Sequence, residues 1–394
     1  MTEHVRLADL TTLGVGGPAE HLVTATTQRD LVDLASAAWD DPDGWLVLGG
    51  GSNLLVGDEP VPGTVIRVAT KGIEELPGAR SGTVRLRVQA GEVWDDLVAH
   101  TVSAGWSGLE ALSGIPGLAG AAPVQNIGAY GQELGGVLTA IEFLAEGELA
   151  PVRMPAAELE LGYRSSVLKH GHRGVVVSIE LELHDTAGEQ AVLGEALGAP
   201  VAYAQLANAL GVQLGDRVSI SAVRETVLAL RRSKGMVLDP ADPDTASAGS
   251  FFTNPIVDEH IARTLPSDAP RWYLEPDAAP EVIALGSTTA TPLDEFRAYQ
   301  ASMTAVESRE DAGSPVLVKV SAAWLIEHAG IRRGFALPGS RAAISSKHTL
   351  ALTNRGGASA AELVQLARFV QARVQAEYGI RLVPEPVWVG IEED

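Results

Sequence analysis

The feature that most constrains this chain is a glycine-dense segment between Gly108 and Gly136. From Gly108 to Gly131 it reads GLEALSGIPGLAGAAPVQNIGAYG, and the apolar residues among the glycines are mostly small. Glycine allows backbone conformations and close approaches that a Cβ atom would forbid. The segment therefore predicts a backbone folded tightly against something planar or charged.

Hydrophobic periodicity on either side of this segment predicts an α+β chain. Apolar residues at helical spacing predict helices over 28–38, 93–104, 221–232, 320–328 and 360–378. Short apolar or alternating runs predict strands over 45–48, 64–68, 84–88 and 175–183. Ser359 and Glu362 form a capping box for the last helix, and Gly379 follows it as the C-terminal cap. The Ala/Gly-rich stretch 188–200 predicts a domain boundary, and 258–314, rich in Pro, Asp and Ala, predicts a partly irregular insertion.

Composition excludes several classes of protein. A length of 394 residues predicts two to three domains, and no apolar run is long enough to span a bilayer. The chain has no cysteine, so disulfides, thiolate metal sites and thiol nucleophiles are excluded, and any redox chemistry must come from a bound organic cofactor. A net charge of -21 argues against nucleic acid or an anionic membrane as partner. The N-terminus MTEHVRLADL has no secretory signal pattern, so a cytoplasmic location is predicted.

A second glycine turn follows the predicted strand at 45–48. Gly49-Gly50-Gly51-Ser52-Asn53-Leu54 would present successive backbone N–H groups and a hydroxyl to a phosphate. Leu54 stands where a GxGxxG fingerprint needs its third glycine, so a standard Rossmann site is disfavoured. Taken alone, the segment is equally consistent with a plain glycine turn.

Seven blocks in the same order give the chain a family resemblance. They are TLGVGG (12–17), GGGSNLL (49–55), IPGLAGAAPVQNIGAYG (115–131), GYRSS (162–166), SFFTNP (250–255), WLIE (324–327) and PEPV (384–387). Together they resemble the UDP-N-acetylenolpyruvoylglucosamine reductase (MurB) family, in the longer form that carries a tyrosine loop.

The resemblance implies a vanillyl-alcohol-oxidase-type (PCMH-type) FAD-binding fold of two subdomains, with an α+β substrate-binding domain. It implies a first subdomain over 1–72, joined by a C-terminal strand within 381–394, and a second over 73–197. The substrate-binding domain then covers 198–380, with the insertion near 258–314.

The resemblance also implies FAD as the cofactor and NADPH as the reductant. Glycines and small polar residues of the two glycine segments would hold the FAD, with backbone amides cradling its pyrophosphate. These residues are Gly49, Gly50, Gly51, Ser52, Asn53, Leu54, Ile115, Pro116, Gly117, Gly120, Ala121, Gln125, Asn126 and Gly128.

The implied reaction reduces UDP-N-acetylglucosamine enolpyruvate to UDP-N-acetylmuramate. Hydride reaches C3 of the enolpyruvyl group by way of the flavin, and C2 must then be protonated. By motif position, Arg164 is the cation that neutralises the enolate, Ser250 the proton donor and Glu385 the acidic partner. From residue type alone, each could instead be an ion-pair, turn or solvated surface residue.

Substrate contacts are implied at further positions: Tyr163, Tyr203, Lys234, Asn254, Lys319 and His328. Arg231 and Arg232, just before Lys234, are equally consistent with charges that favour a helix C-terminus. The chain departs from the commoner family pattern at Thr253, His328 and Pro386. The nine histidines show no HExxH-like spacing, and no GxSxG elbow occurs, so neither a metal site nor a serine hydrolase is predicted.

Two other functions compete with the reductase. One is an oxidase of the same fold that would use oxygen in place of NADPH, and the other is a protein that binds a UDP-sugar or flavin without turnover. The joint presence of Arg164, Ser250 and Glu385 favours the reductase. The expected partners are its small-molecule substrate and NADPH, and a monomer is expected.

Overall fold

The computed structural model describes residues 5–274 and 316–392. Backbone proximity divides the chain into two compact units. The first comprises the described residues of Met1–Phe251, Arg332–Phe369 and Pro384–Asp394, and the second those of Phe252–Ile331 and Val370–Val383. The division into two FAD subdomains and a substrate domain stays a prediction.

The first unit contains most of the strands. They are β1 (Ala19–Ala25), β2 (Trp45–Leu48), β3 (Leu54–Val56), β4 (Val61–Val68), β5 (Ile73–Leu76), β6 (Thr83–Gln89), β7 (Trp106–Ser107), β8 (Gly128–Ala129), β9 (Gln132–Glu133), β10 (Leu138–Ala145), β11 (Val152–Pro155), β12 (Gly174–Asp185), β16 (Ala342–Ile344), β17 (Leu352–Asn354) and β18 (Val387–Val389). The second unit contains β13 (Ile256–Asp258), β14 (Arg271–Tyr273) and β15 (Leu317–Val320).

The described helices are fewer. They are α1 (Gln28–Ala38), α2 (Trp94–Ser103), α3 (Ala187–Leu193), α4 (Ala204–Leu210), α5 (Ile220–Ser233), α6 (Glu259–Thr264), α7 (Ala322–His328) and α8 (Ala360–Tyr378). Short 3-10 helices cover Leu7–Leu10, Glu110–Leu112, Ala119–Gln125, Leu134–Gly136, Ala156–Leu159 and Pro243–Thr245. Within the two described ranges, no helix combines the length and the apolar character needed to cross a membrane.

Two sheets organise the first unit. A parallel sheet has the order β1-β4-β2, and a larger sheet has the order β11-β10-β12-β6-β5, with β7 also paired to β12. The strand β12 is buried along most of its length because it supplies two cores: Val177 packs with α1 residues, and Ile179 with α2 residues. A separate parallel pair joins β18 to β3, with Val387 opposite Leu54. This pair brings the C-terminal segment beside the turn that follows β2.

Most of the local predictions are confirmed. The last helix runs over Ala360–Tyr378, Glu362 N–H donates to Ser359 Oγ at 3.1 Å, and Ser359 N–H donates to Glu362 Oε2 at 2.8 Å. Gly379 adopts φ +68°, as its capping position requires. The predicted helix 320–328 is wrong at its start: Val320 lies in β15, and Ser321 caps a helix that begins at Ala322.

The stretch predicted as a domain boundary and the insertion predicted to be partly irregular both contain some regular structure. Within 188–200, residues up to Leu193 belong to α3. The predicted insertion begins with the last residue of β13 and continues through α6 and β14. The strands β13 and β14 pair with β15 in a small antiparallel sheet of order β13-β15-β14. The rest of the insertion, 275–314, lies outside the described residues.

Candidate active site

A cavity of about 370 Å³ opens in the first unit, and both glycine segments line it. The turn between β2 and β3 forms one wall, and the segment that begins at Ile115 forms another. Single residues of the later chain complete the lining, namely Arg164, Arg231, Met236, Ala248, Gly249, Ser250, Glu385 and Val387. Residues far apart in the sequence therefore converge on one site.

Glycine is required where the two segments meet. A Cβ atom on Gly50 would lie 2.9 Å from the Cα atom of Gly117, which is closer than real Cβ contacts allow. Gly51 has φ +58°, and a Cβ atom there would collide with the carbonyl oxygen of Leu10. The glycines thus allow two stretches of bare backbone to face the same space.

Side-chain hydrogen bonds hold this arrangement together. Ser52 Oγ donates to the carbonyl of Pro116 at 3.1 Å, which ties the turn to the second glycine segment. Asn53 Nδ2 donates to Gln125 Oε1 and to the carbonyl of Glu385, both at 3.2 Å. The same asparagine therefore positions the glycine segment and the C-terminal segment.

Nearly all of the predicted FAD contacts lie on the cavity wall. Those that line it are Gly49, Gly50, Gly51, Ser52, Asn53, Leu54, Ile115, Pro116, Gly117, Ala121, Gln125 and Gly128. Gly120 and Asn126 are not among the lining residues. A Cβ atom on Gly120 would lie 2.5 Å from that of Ala90, so the glycine serves packing. Asn126 Oδ1 accepts from Gly135 N–H at 2.9 Å, and its Nδ2 donates to the carbonyl of Gly162 at 3.2 Å.

Arg164 and Glu385 form an ion pair at the cavity. Arg164 Nε lies 3.2 Å from Glu385 Oε1, and Arg164 Nη2 donates to the carbonyl of Gly128 at 2.8 Å. Arg164 itself has φ +53°, a left-handed conformation that is unfavourable for a side chain of this size. The guanidinium is thus aimed by a strained backbone and held by two partners.

Burial and nearby positive charge shift the pKa of the Glu385 carboxyl in opposite directions. Burial raises the pKa of the Glu385 carboxyl above its ordinary value, because a charged carboxylate loses hydration there. The positive charges of Arg164 and Lys169 oppose this rise in pKa but do not cancel it. A carboxyl with a raised pKa in a cavity is typical of groups that exchange protons during a reaction.

Ser250 reaches the same cavity by a different route. Phe251 N–H donates to the carbonyl of Leu350 at 2.7 Å, and Glu385 N–H donates to the carbonyl of Phe251 at 2.9 Å. These backbone bonds place the Ser250 segment directly beside that of Glu385. The three predicted catalytic residues therefore lie on one cavity, although 221 positions separate Arg164 from Glu385.

The structure adds Arg231, which sequence reasoning had treated as a helix-end charge. Its side chain lines the cavity, Nη2 donates to the carbonyl of Met236 at 3.0 Å, and Nε is enclosed with no hydrogen-bond partner among the described residues. Burial lowers the pKa of its guanidinium. The missed signal was spacing, because Arg231 continues the buried face of α5 four residues after Val227, itself four after Val223.

Comparison with known proteins agrees with this geometry. Residues 240–389 match the family described as "UDP-N-acetylenolpyruvoylglucosamine reductase, C-terminal domain", and residues 19–147 match "FAD binding domain". The UDP-N-acetylenolpyruvoylglucosamine reductase of Leifsonia xyli is 56% identical over 393 residues, covering 99% of this chain and 100% of that protein. The reductase of the same name from Saccharopolyspora erythraea is 46% identical, covering 97% of this chain and 94% of that protein.

The chain belongs to the UDP-N-acetylenolpyruvoylglucosamine reductase family. A solved structure of MurB from Thermus caldophilus has a TM-score of 0.60 at 28% identity and covers 98% of this chain and 97% of that one. The family, the PCMH-type FAD-binding fold and the class of FAD-dependent oxidoreductase predicted from the sequence are confirmed.

Three of the substrate contacts predicted from the reductase family lie in the first unit. Lys234 Nζ lies 5.5 Å from the ring centroid of Tyr130 and donates to Gln205 Oε1 at 3.0 Å. Tyr203 packs edge-on against Tyr130 at 5.8 Å, so Lys234 and Tyr203 flank the same ring. Tyr163 is exposed, and the guanidinium of Arg164 lies 5.6 Å from its ring.

The other three predicted substrate contacts lie in the second unit. Asn254 Oδ1 accepts from Ala322 N–H at 3.0 Å at the start of α7. Lys319 Nζ lies 5.7 Å from the ring of Trp272, and His328 stacks on Trp324 with ring centroids 3.8 Å apart. Their roles in binding substrate stay predictions.

Proposed function

We propose that Arg164, Ser250 and Glu385 carry the chemistry of the reductase family in this chain. The chain is an FAD-dependent oxidoreductase that reduces UDP-N-acetylglucosamine enolpyruvate to UDP-N-acetylmuramate with NADPH, in peptidoglycan precursor synthesis. One observation carries the residue assignment: three side chains distant in sequence line one cavity together with both glycine segments. Membership of the reductase family favours this function over the two competing ones.

The lining of the cavity has the chemistry that a flavin dinucleotide needs. Its walls combine bare backbone at Gly50 and Gly117 with apolar surface, and the enclosed Nε of Arg231 supplies a free donor. Backbone N–H groups of the Gly49–Asn53 turn would hold the pyrophosphate, as such turns do for other anions. When bound, FAD accepts the reducing equivalent of NADPH and passes it to the enolpyruvyl group.

Arg164 would hold the substrate carboxylate and the negative charge that develops next to it. Its planar guanidinium stays charged at any physiological pH and can bind a carboxylate through two N–H groups. The bonds to Gly128 and Glu385 fix the guanidinium before substrate arrives, so little reorganisation is needed during the reaction. The Glu385 carboxylate would balance the remaining positive charge of Arg164.

Ser250 would donate the proton to C2 of the enolate from its Oγ atom. A serine hydroxyl is a weak acid in water, so this role requires a basic acceptor and a site from which water is excluded. Phe251, next in the chain, is fully buried, and we infer that it helps to exclude water beside Ser250. The raised pKa of Glu385 makes that carboxyl a candidate for resupplying the proton.

The partners in this proposal are small molecules, namely NADPH and the UDP-sugar substrate. Lys234 and Tyr203, around Tyr130, would contact the substrate at the tyrosine loop. The monomeric state and the cytoplasmic location predicted from the sequence stay predictions.

Separate half-reactions test the proposal. Under anaerobic conditions NADPH should bleach the flavin absorbance, and the enolpyruvyl UDP-sugar should restore it. Ser250→Ala should leave bleaching intact and slow restoration by about 10²- to 10⁴-fold, the usual contribution of a proton donor. Ser103→Ala, at an exposed helix end, is the matched control.

Three results would contradict this assignment. A flavin restored by oxygen but not by the enol ether would favour the oxidase function, and a protein that cannot be loaded with FAD would exclude both flavoenzyme functions. Equal slowing of both half-reactions by Ser250→Ala would remove Ser250 from the proton-transfer step.

A further inference from the structure

Arg164 lies at the tip of a tight turn, and its own backbone is the strained part of that turn. Gly162 and Ser165 pair with each other through both backbone hydrogen bonds, at 3.1 and 3.2 Å, and leave Tyr163 and Arg164 as the turn. The second turn residue has φ +53°, where glycine or asparagine is favoured over arginine. Such strain persists only where surrounding contacts hold the backbone in place.

One of those contacts comes from a side chain outside the predicted site. Lys169 Nζ donates to the carbonyl oxygen of Arg164 at 2.9 Å, so it binds the strained residue itself. The Lys169 backbone is anchored in turn, because its N–H donates to Ser166 Oγ, which donates to the carbonyl of Val124 at 2.6 Å. Lys169 is therefore tied through Ser166 to Val124 of the second glycine segment, and through its Nζ atom to Arg164 of the turn.

We propose that Lys169 is a positioning residue for the reduction step, holding Arg164 in its left-handed conformation and placing a second positive charge toward Glu385. The inference rests on the proposed function of Arg164 and Glu385. It separates two roles: Arg164 contacts Glu385 directly, and Lys169 acts through the Arg164 carbonyl and through its charge.

The charge on Lys169 acts on a carboxyl that few other groups influence. After burial, which raises the pKa of Glu385, the opposing influences come from Arg164 and then from Lys169, both on the same loop. Arg231, from α5, is the further cation on the cavity wall. Removing the charge of Lys169 should therefore raise the pKa of Glu385 further, whereas removing a lysine elsewhere should not.

The test compares Lys169→Met with Lys169→Arg and with Lys71→Met, a neutralisation at the exposed Lys71–Glu92 pair. In the flavin-loaded enzyme, the infrared band of the protonated Glu385 carboxyl, assigned with Glu385→Gln, is titrated against pH. Lys169→Met should move the midpoint up by about half a pH unit, less than a directly contacting cation would. Lys169→Arg and Lys71→Met should leave it unchanged.

The kinetic arm uses the two half-reactions. Lys169→Met should slow restoration of the flavin by the enol ether about five- to thirtyfold, the range that corresponds to the cost of a left-handed residue. Bleaching by NADPH should stay near the wild-type rate, and Lys169→Arg should recover most of the loss. A midpoint and a restoration rate equal to those of Lys71→Met, or equal slowing of both half-reactions, would overturn the proposal.

Two further results keep the outcomes distinct. If Lys169→Met yields no flavoprotein, Lys169→Gln replaces it, because Gln removes the charge but keeps an N–H donor; an unchanged Glu385 midpoint in that variant overturns the proposal. If the wild-type flavin is not restored by the enol ether, the proposed function has failed, and the infrared midpoints still decide whether Lys169 acts on Glu385.

Discussion

Replacing Glu180 with glutamine should destabilise the first unit more than any other single charge removal on its large sheet. Glu180 lies on β12 with a side chain only 2% exposed. Three arginines surround its carboxylate: Arg87 Nη2 at 3.0 Å and Arg85 Nη2 at 3.2 Å come from the neighbouring strand β6, and Arg153 Nη2 at 2.8 Å comes from β11, beyond β10. Glutamine keeps the size of the side chain and removes the charge that balances these guanidiniums.

The expected loss of unfolding free energy in Glu180→Gln follows from the burial of this ion pair. Removing one partner of a buried ion pair costs about 3–5 kcal/mol. The arginine side chains are 25–48% exposed, so water replaces part of what they lose, and we expect a loss of about 3 kcal/mol. For a unit of this size that corresponds to a fall in melting temperature of about 5 °C.

The pH dependence has a defined sign. Burial acts to raise the pKa of Glu180, but its hydrogen bonds to Arg153 and Arg87 prevail and hold that pKa below the ordinary 4.5. A carboxyl with a lowered pKa stabilises the fold at pH values above its unfolded-state pKa, and the contribution is lost as the pH falls through the folded-state pKa. The stability gap between wild type and Glu180→Gln should therefore be full near neutral pH and shrink below pH 4.5.

Thermal unfolding across a pH series provides the measurement, with Glu182→Gln as the matched control. Glu182 lies two residues further along β12, and its partner Arg80 is 81% exposed, so its loss should cost about 0–1 kcal/mol. The reasoning is refuted if the two variants melt alike at neutral pH. It is also refuted if the gap for Glu180→Gln stays constant as the pH falls.

Three further predictions concern the site and its support. Arg231→Met should weaken FAD binding about tenfold or more in a flavin titration, because it removes a charged donor from the cavity wall. The apoprotein should lose only about 1 kcal/mol of stability, from the Nη2 bond to the Met236 carbonyl, and unchanged FAD affinity would contradict the assignment. Gly50→Ala should lower the flavin content of purified protein far more than Gly49→Ala, whose added Cβ would meet nothing closer than 3.8 Å, and equal contents would refute the contact with Gly117. Ser359→Ala should cost about 1 kcal/mol in thermal unfolding through loss of the capping box of α8, and no change would show that the cap contributes nothing.

Local sequence signals predicted the elements well because their causes are local. The capping box at Ser359 and the glycine at Gly379 act within a few residues of the helix ends that they define. The start of α7 was misplaced because Val320 continues an apolar pattern that suits either a strand or a helix. Pairing of β15 with β13 and β14, a contact with distant residues, decided for the strand.

The family blocks predicted the catalytic trio, but they could not show how the three residues meet. Glu385 reaches the glycine turn because β18 pairs in parallel with β3, and Ser250 lies beside it through the bond from Glu385 N–H to the Phe251 carbonyl. No short-range pattern around Glu385 encodes either partner. For Gly120, the motif position predicted a cofactor contact. In the structure its lack of a side chain allows close packing against Ala90.

The sequence by itself determined the family, the cofactor class and the secondary structure that carries the site, because glycine blocks, periodicity and caps act over a few residues. Tertiary structure alone decided that Arg231 lines the cavity, that Lys169 holds the Arg164 carbonyl, and that Glu385 is buried beside Arg164. Burial and charge proximity depend on which distant segments pack together. The pKa of Glu385 and the strain at Arg164 are therefore properties of the folded chain.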